Sequence, residues 1–181
     1  MIFQSTIELD KSTSSVTWKV SHYGLSKYTA RFAQIESSLY WDPYSFKKSR
    51  MITTVSPILI TTDYPYKREK DFDHELSFDE GWFNAKKYDS IKFYSKKIEK
   101  TGERTGKIYG TLSMLGKKRP LVLYATSNKG LSKHPVSGKT VMGFSATGTI
   151  KRSDWGMVKM PPDIGDEVEI FIEAEFIKKR N

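Results

Sequence analysis

An all-β domain, an antiparallel barrel of about eight strands with one or two short helices, is the fold this sequence predicts. Three observations predict it. First, Val168, Ile170, Ile172, Ala174 and Phe176 alternate with Glu167, Glu169, Glu173 and Glu175, the period of two that marks a half-buried strand. Second, the same alternation recurs along the chain with turn residues between the runs. Third, the 181 residues contain no repeat, linker or low-complexity stretch, so residues 1–181 are expected to form one domain around one core.

Thr6 to Leu9 and Val16 to Val20 open the series, the second with Val16, Trp18 and Val20 on one face. His22 to Lys27 predicts a tight turn or short helix around Gly24. From Thr29 to Asp42 the extended pattern resumes, but Phe32, Ile35, Leu39 and Trp41 break strict alternation, which predicts a bulge or strong bend. Met51 to Thr62 predicts a long strand with Ile52, Thr54, Ser56, Ile58 and Ile60 on one face, bulged or at an edge because of Pro57. Between them and the next strand, Phe72, Leu76, Phe78, Trp82 and Phe83 recur at three- and four-residue steps, which predicts a helix over Phe72 to Phe83.

The β-pattern returns at Ile91, Phe93 and Ser95. A turn over Thr101 to Thr105 joins this strand to Ile108 through Met114 as a hairpin. Gly116, Lys117 and Lys118 predict the next turn, Pro120 to Thr126 a strand, and Asn128 to Lys139 a loop. Val141 to Ile150 and Val168 to Ile177 close the series across the connection Lys151 to Asp166.

Composition narrows function. Cysteine is absent, which removes disulfides, thiolate metal ligands and thiol catalysis. No stretch approaches the roughly 20 apolar residues of a membrane-spanning helix, and Met1 to Asp10 lacks the basic-then-apolar pattern of a signal peptide. The formal charge of +9 favours anionic surfaces, phosphates or nucleic acid in general terms, with a solvated basic surface as the simpler reading.

An eight-stranded barrel is near the size at which side chains just fill the interior or leave room for one small ligand. Gly110 shares a face with Leu112 and Met114, Ala146 and Gly148 with Phe144 and Ile150, and Ala174 with Ile172 and Phe176. If these faces are internal, the wall alternates long apolar side chains with gaps, which suits an elongated apolar ligand. Plain taper filling is the competing reading.

Chemistry-bearing groups are sparse. His74 lies among Asp71, Asp73 and Glu75, but no HExxH-type spacing accompanies it, and His22 and His134 are far away in sequence. An exposed helix start capped by Asp73 accounts for the cluster better than a metal site. No Gly-x-Ser-x-Gly occurs. Gly102, Gly106 and Gly110 fall in a hairpin rather than at a strand-to-helix phosphate turn. The runs Lys117, Lys118, Arg119 and Lys178, Lys179, Arg180 fit solvated loop and tail. Aromatics interleaved with lysine also permit a platform for single-stranded nucleic acid, the alternative function, but their place in the apolar phase favours core duty.

Several passages together resemble the YceI family of small bacterial lipocalin-like proteins. They are Trp18-Lys19-Val20-Ser21-His22-Tyr23-Gly24, Ile60-Thr61-Thr62-Asp63, Asp73-His74-Glu75-Leu76, Trp82-Phe83 and Ile91-Lys92-Phe93-Tyr94-Ser95, followed by Gly110 to Gly116 with Arg119-Pro120, Gly143-Phe144 and Arg152-Ser153-Asp154-Trp155-Gly156. Their order spans nearly the whole chain.

The resemblance implies a lipocalin-like barrel whose lumen binds a polyisoprenoid, quinone-like lipid or fatty amide for carriage, storage or sequestration, with no required cofactor, no metal and no catalysis. It implies lumen contacts at Trp18, Phe32, Trp82, Phe83, Phe93, Leu112, Phe144 and Trp155, and polar contacts at His22, His74, Arg152 and Asp154. Trp82 and Trp155 stand where relatives carry smaller aromatics, which implies a narrower lumen. The expected partner is a hydrophobic small molecule rather than nucleic acid, with peripheral contact to an anionic membrane and a homodimer left open. Since many relatives are exported, the expected location is periplasmic or secreted, the chain being a mature form; it is cytoplasmic if the chain is native as written.

Overall fold

A computed structural model describes residues 5–42 and 44–178; Met1 and the basic tail residues Lys179 and Arg180 lie outside the described residues. The strands are β1 (Ser5–Leu9), β2 (Ser15–His22), β3 (Ser26–Phe32), β4 (Ile35–Trp41), β5 (Arg50–Val55), β6 (Ile60–Thr61), β7 (Ile91–Lys100), β8 (Thr105–Met114), β9 (Lys117–Leu131), β10 (Val141–Lys151) and β11 (Ile164–Ile177), with one α-helix, α1 (Phe72–Phe78). All pairings are antiparallel, and β11 pairs with β10 on one side and with both β1 and β2 on the other, which closes the sheet.

Register reduces the eleven segments to eight strands. From Glu8↔Ser38 to Val16↔Phe32 one side advances eight residues and the other six, so β1–β2 and β4–β3 are one hairpin interrupted by extra residues at 10–14. From Phe32↔Ile60 to Ile35↔Val55 the sides advance three and five, so β5 and β6 are one strand bulged around Pro57. The bend after Phe32 and the Pro57 bulge are therefore as the sequence predicts. The result is an eight-stranded up-and-down barrel, lipocalin-like in form.

Turn chemistry fixes several joints. Tyr23 and Gly24 both take positive φ (53° and 68°) between β2 and β3, and Leu115 and Gly116 do so (50° and 72°) between β8 and β9. The latter is the two-residue turn whose backbone twist matches that of a hairpin and whose second residue favours glycine. The turn ends at Gly116, and Lys117 and Lys118 already belong to β9.

Other local expectations are corrected as well. The helix stops at Phe78 because Asp79 is extended and its carboxylate accepts from the Gly81 amide at 2.7 Å; the three- and four-residue apolar steps continue through turns, not helix. Residues 128–131 are strand rather than loop, held by pairing of Leu131 with Val141 and Lys129 with Gly143. On β5 the inward face is Met51, Thr53 and Val55, opposite Leu39, Ser37 and Ile35, while Ile52 is 50% exposed. Both faces of that strand carry β-branched residues, so its alternation has no readable phase, and the neighbours decide it.

The core lines the inside of the wall and continues into segment 62–90, where Leu76, Trp82, Phe83 and Ala85 are buried. Asp71 rather than Asp73 caps α1, accepting from the His74 amide at 3.0 Å. Asp73 turns instead to Thr62, accepting from its amide at 2.9 Å and from its hydroxyl, which ties the helix to β6.

Candidate functional site

A cavity of about 730 Å³ occupies the barrel interior. Its lining reaches from Tyr23, at the β2–β3 turn, to Thr105 and Gly106, at the β7–β8 turn, so it extends between the two ends of the barrel. The strict alternations supply its wall: Val16, Trp18 and Val20 from β2, and Val168, Ile170, Ile172, Ala174 and Phe176 from β11. Such a volume lies within the range of small-molecule sites, and an apolar lining gives affinity with few directional contacts.

The small residues divide into two groups. At Gly110 an added Cβ would stand 2.3 Å from the Phe93 ring, and at Gly148 it would stand 2.8 Å from Leu123, so those gaps are filled by neighbouring side chains. Ala146 and Ala174 do face the open space. Taper packing thus explains the glycines, and the alanines leave room.

Of the residues singled out from the sequence, Trp18, Phe32, Trp82, Phe83, Phe93, Leu112, Phe144, His22 and Arg152 line the cavity. Three do not. Trp155 is 2% exposed but sits behind the wall, where its indole Nε1 donates to the Leu112 carbonyl at 3.2 Å. His74 is exposed, its ring against Phe78 at 4.6 Å, because the first turn of α1 points it outward. Asp154 is exposed in the short 3₁₀ turn Arg152–Trp155. Only Trp82 of the two added indoles narrows the lumen.

Arg152 is 4% exposed and is held by backbone carbonyls: Nε donates to Gly165 at 2.8 Å, Nη1 to Met157 at 3.0 Å and Nη2 to Ile164 at 2.8 Å. Burial lowers its pKa, opposed by the nearby Asp166 charge. Burial pushes the Asp166 carboxyl up, but hydrogen bonds from the Ser153 hydroxyl and amide, with the charges of Arg152 and Lys151, leave it below its ordinary value.

Sequence reasoning missed an aromatic collar at the end near the β2–β3 turn. His22 meets Tyr23 edge-on at 4.7 Å, Tyr28 meets Phe72 at 5.8 Å, and Phe72 meets Tyr64 at 5.7 Å. Lys70 lies 5.3 Å above Phe72 and pairs with Glu75 at 2.6 Å, and all of these residues line the cavity. His22 was among the residues singled out, and Tyr28 was legible, two and four residues from the inward Ala30 and Phe32; Tyr23, Tyr64 and Lys70 come from irregular segments without a period, and Phe72 was read only as part of the helix. Trp41 was also missed, although it shares parity with Leu39 on β4. Among the described residues, no group of three or more His, Asp or Glu side chains is placed to hold a metal ion.

The geometry has counterparts in known proteins. A family model described as a YceI-like domain matches residues 8–176. The chain is 29% identical over 180 residues to a UPF0312 protein of Pseudomonas putida (strain GB-1), covering 99% of this chain and 89% of the relative. It resembles the crystal structure of a Campylobacter jejuni YceI protein at 29% identity and a TM-score of 0.75, over 88% of this chain and 90% of that one. A polyisoprenoid-binding domain from Saccharophagus degradans is similar in fold, with a TM-score of 0.67 and 12% identity over 96% of this chain and 98% of that one.

Proposed function

The chain belongs to the YceI-like domain family, and from that premise we propose that it binds the apolar chain of an isoprenoid or comparable amphipathic lipid inside the barrel, for carriage, storage or sequestration. The observation that carries this reading is the cavity of about 730 Å³ with its apolar wall reaching from one end of the barrel to the other. Each methylene moved from water into such a wall contributes about 0.8 kcal/mol, so a long chain is held without a dense set of hydrogen bonds. The collar of His22, Tyr23, Tyr28 and Tyr64 around Phe72 offers amphipathic rings where a polar head would meet water. The likeness to a polyisoprenoid-binding domain supports the same ligand class.

The proposed role is binding, in keeping with the YceI-like domain family. A periplasmic location fits a lipid carrier between membranes and rests on the resemblance alone. Native mass spectrometry and organic extraction of freshly purified protein test the reading: a co-purifying lipid, or uptake of added polyprenol at one per chain, is expected. Protein free of lipid that also takes up no polyprenol overturns it.

A further inference from the structure

The two ends of the barrel carry opposite charge. At the end remote from the aromatic collar, residues 42–50, 97–105 and 128–140 hold nine lysines and arginines against three acidic residues, a net +6 out of the +9 of the chain. At the collar end, residues 22–26, 62–90, 115–116 and 152–163 hold seven against ten, a net −3.

Side-chain contacts join the basic segments into one rim. Trp41, at the end of β4, packs against Phe46 at 5.3 Å and against Phe144 of β10 at 5.9 Å. Lys100, at the end of β7, lies 5.7 Å over the Phe46 ring, and Arg104 Nε donates to the Ser127 carbonyl of β9 at 2.8 Å. These six residues line the cavity, so the basic rim surrounds one of its mouths. Two apolar side chains project from it on braced turns. The Asp42 carboxylate accepts from the Tyr44 and Ser45 amides at 2.9 and 3.0 Å, and Tyr44 is 80% exposed. The His134 amide donates to the Lys139 carbonyl and the Gly138 amide to the His134 carbonyl, both at 2.8 Å, which closes a tip where Val136 is 90% exposed.

We propose that this rim docks on an anionic lipid bilayer, setting its mouth of the lumen against the membrane and leaving the collar toward water. The use of such docking, to pass an apolar chain between bilayer and lumen, rests on the reading that the lumen takes such a chain. Basic residues around protruding tyrosine and aliphatic tips make an interfacial surface: the cations meet anionic head groups while Tyr44 and Val136 enter the apolar boundary. The net negative charge at the collar end is repelled by the same surface, which fixes the orientation. A nucleic acid strand would use the charges but would give Val136 and the apolar mouth nothing to meet.

Cysteine is absent, so Val136→Cys and, in a second protein, Leu25→Cys each accept one environment-sensitive nitrobenzoxadiazole label. Leu25 is 86% exposed in the turn between β2 and β3, at the collar end. Vesicles of phosphatidylcholine and phosphatidylglycerol should brighten the label at position 136 and shift its emission to the blue, while vesicles of phosphatidylcholine alone should not, and the label at position 25 should respond to neither. In co-sedimentation with the anionic vesicles, Lys47→Glu with Lys48→Glu should weaken binding at least about tenfold. Lys86→Glu with Lys87→Glu removes the same charge beside Tyr88, whose ring lies against Gly116 of the β8–β9 turn at the collar end, and should weaken it less than about threefold. All four lysines are exposed. A silent label at position 136, a responding label at position 25, equal losses in the two charge variants, or an oligonucleotide that binds the rim where vesicles do not each overturn the docking. The vesicles contain no polyprenol, so uptake of polyprenol is judged separately: docking without uptake sinks the lumen reading alone, and uptake without docking sinks the rim alone.

Discussion

The ring of Phe93 on β7 occupies the space a side chain on Gly110 of β8 would need: a Cβ there would stand 2.3 Å from Phe93 Cζ and 2.5 Å from the Tyr94 carbonyl oxygen. One of these neighbours is backbone and cannot turn aside. Gly110→Ala is therefore expected to destabilise the barrel by about 1–3 kcal/mol, the cost of overpacking a filled site. At about 2–4 °C per kcal/mol for a domain of this size, thermal denaturation measures it directly. An unchanged melting temperature would mean that the ring is free to leave.

Arg152 is a cationic clamp for backbone. Its three hydrogen bonds satisfy the carbonyl of Met157, in the connection between β10 and β11, and those of Ile164 and Gly165, at the start of β11. Arg152→Met keeps the apolar stem but strands these acceptors, so a loss of about 1–3 kcal/mol for each carbonyl left buried without a donor is expected. Arg152→Lys should recover little of it, since one ammonium cannot match the planar fork. Denaturant titration of the three proteins checks the order.

Asp79 and Lys159 pair at 2.7 Å across the sequence, which holds the turn after α1 to the connection before β11. The Lys159 hydrogen bond first, and the Gly81 amide second, hold the Asp79 carboxyl below its ordinary value. A carboxyl lowered in the folded state gives stability that is present above its unfolded pKa and lost as pH falls through the folded value. Asp79→Asn should thus be less stable than the parent at pH 7, by less than about 1 kcal/mol because the pair is about one-third exposed. The difference should shrink below about pH 4 and vanish at lower pH. Melting curves from pH 7 down to about pH 2.5 follow it.

How much of this was legible depends on how strictly each strand alternates. The inward residues of β2 and β11 could be read directly, because Val16, Trp18 and Val20 face Thr17 and Lys19, and Val168 to Phe176 faces glutamates. The bulges were legible too, through Pro57 and the broken period after Phe32. The phase of β5 was not, since Ile52 and Met51 are both apolar and only pairing with Leu39 and Phe93 distinguishes them. Position in a motif also misplaced three site residues. Trp155, His74 and Asp154 sit on short helical turns, where one step in sequence rotates a side chain by about 100° and contiguity does not mean a shared direction. That the indole Nε1 of Trp18, Trp41 and Trp82 finds no acceptor among the described residues could not be foreseen at all, because pairing is a property of the assembled wall.

Ala174 faces the cavity between Ile172 and Phe176 on β11. It is also packed with Ile7, Leu39 and Phe176, so Ala174→Phe removes space a ligand needs at an overpacking cost of about 1–3 kcal/mol. Lipid uptake by this variant, measured well below its melting temperature, is expected to fall at least about tenfold, equivalent to about 1.4 kcal/mol. Equal uptake would place the ligand elsewhere than along β11.

Salt dependence separates a lumen ligand from a surface polyanion. The charge of +9 lies largely on exposed lysines such as Lys47, Lys48, Lys86 and Lys118, which attract nucleic acid or anionic membranes through interactions screened within about 8 Å at physiological ionic strength. Neutralising several phosphates would make the logarithm of affinity fall steeply with that of salt. The lumen presents the opposite case: its wall is apolar, and Lys70 is paired with Glu75. Binding of a neutral lipid should therefore change less than about twofold between roughly 50 and 500 mM salt, while any association with a single strand should weaken by orders of magnitude. Parallel titrations of one preparation with fluorescent polyprenol and fluorescent oligonucleotide give both slopes. A steep slope for the lipid would move its contacts from the barrel interior to the basic exterior.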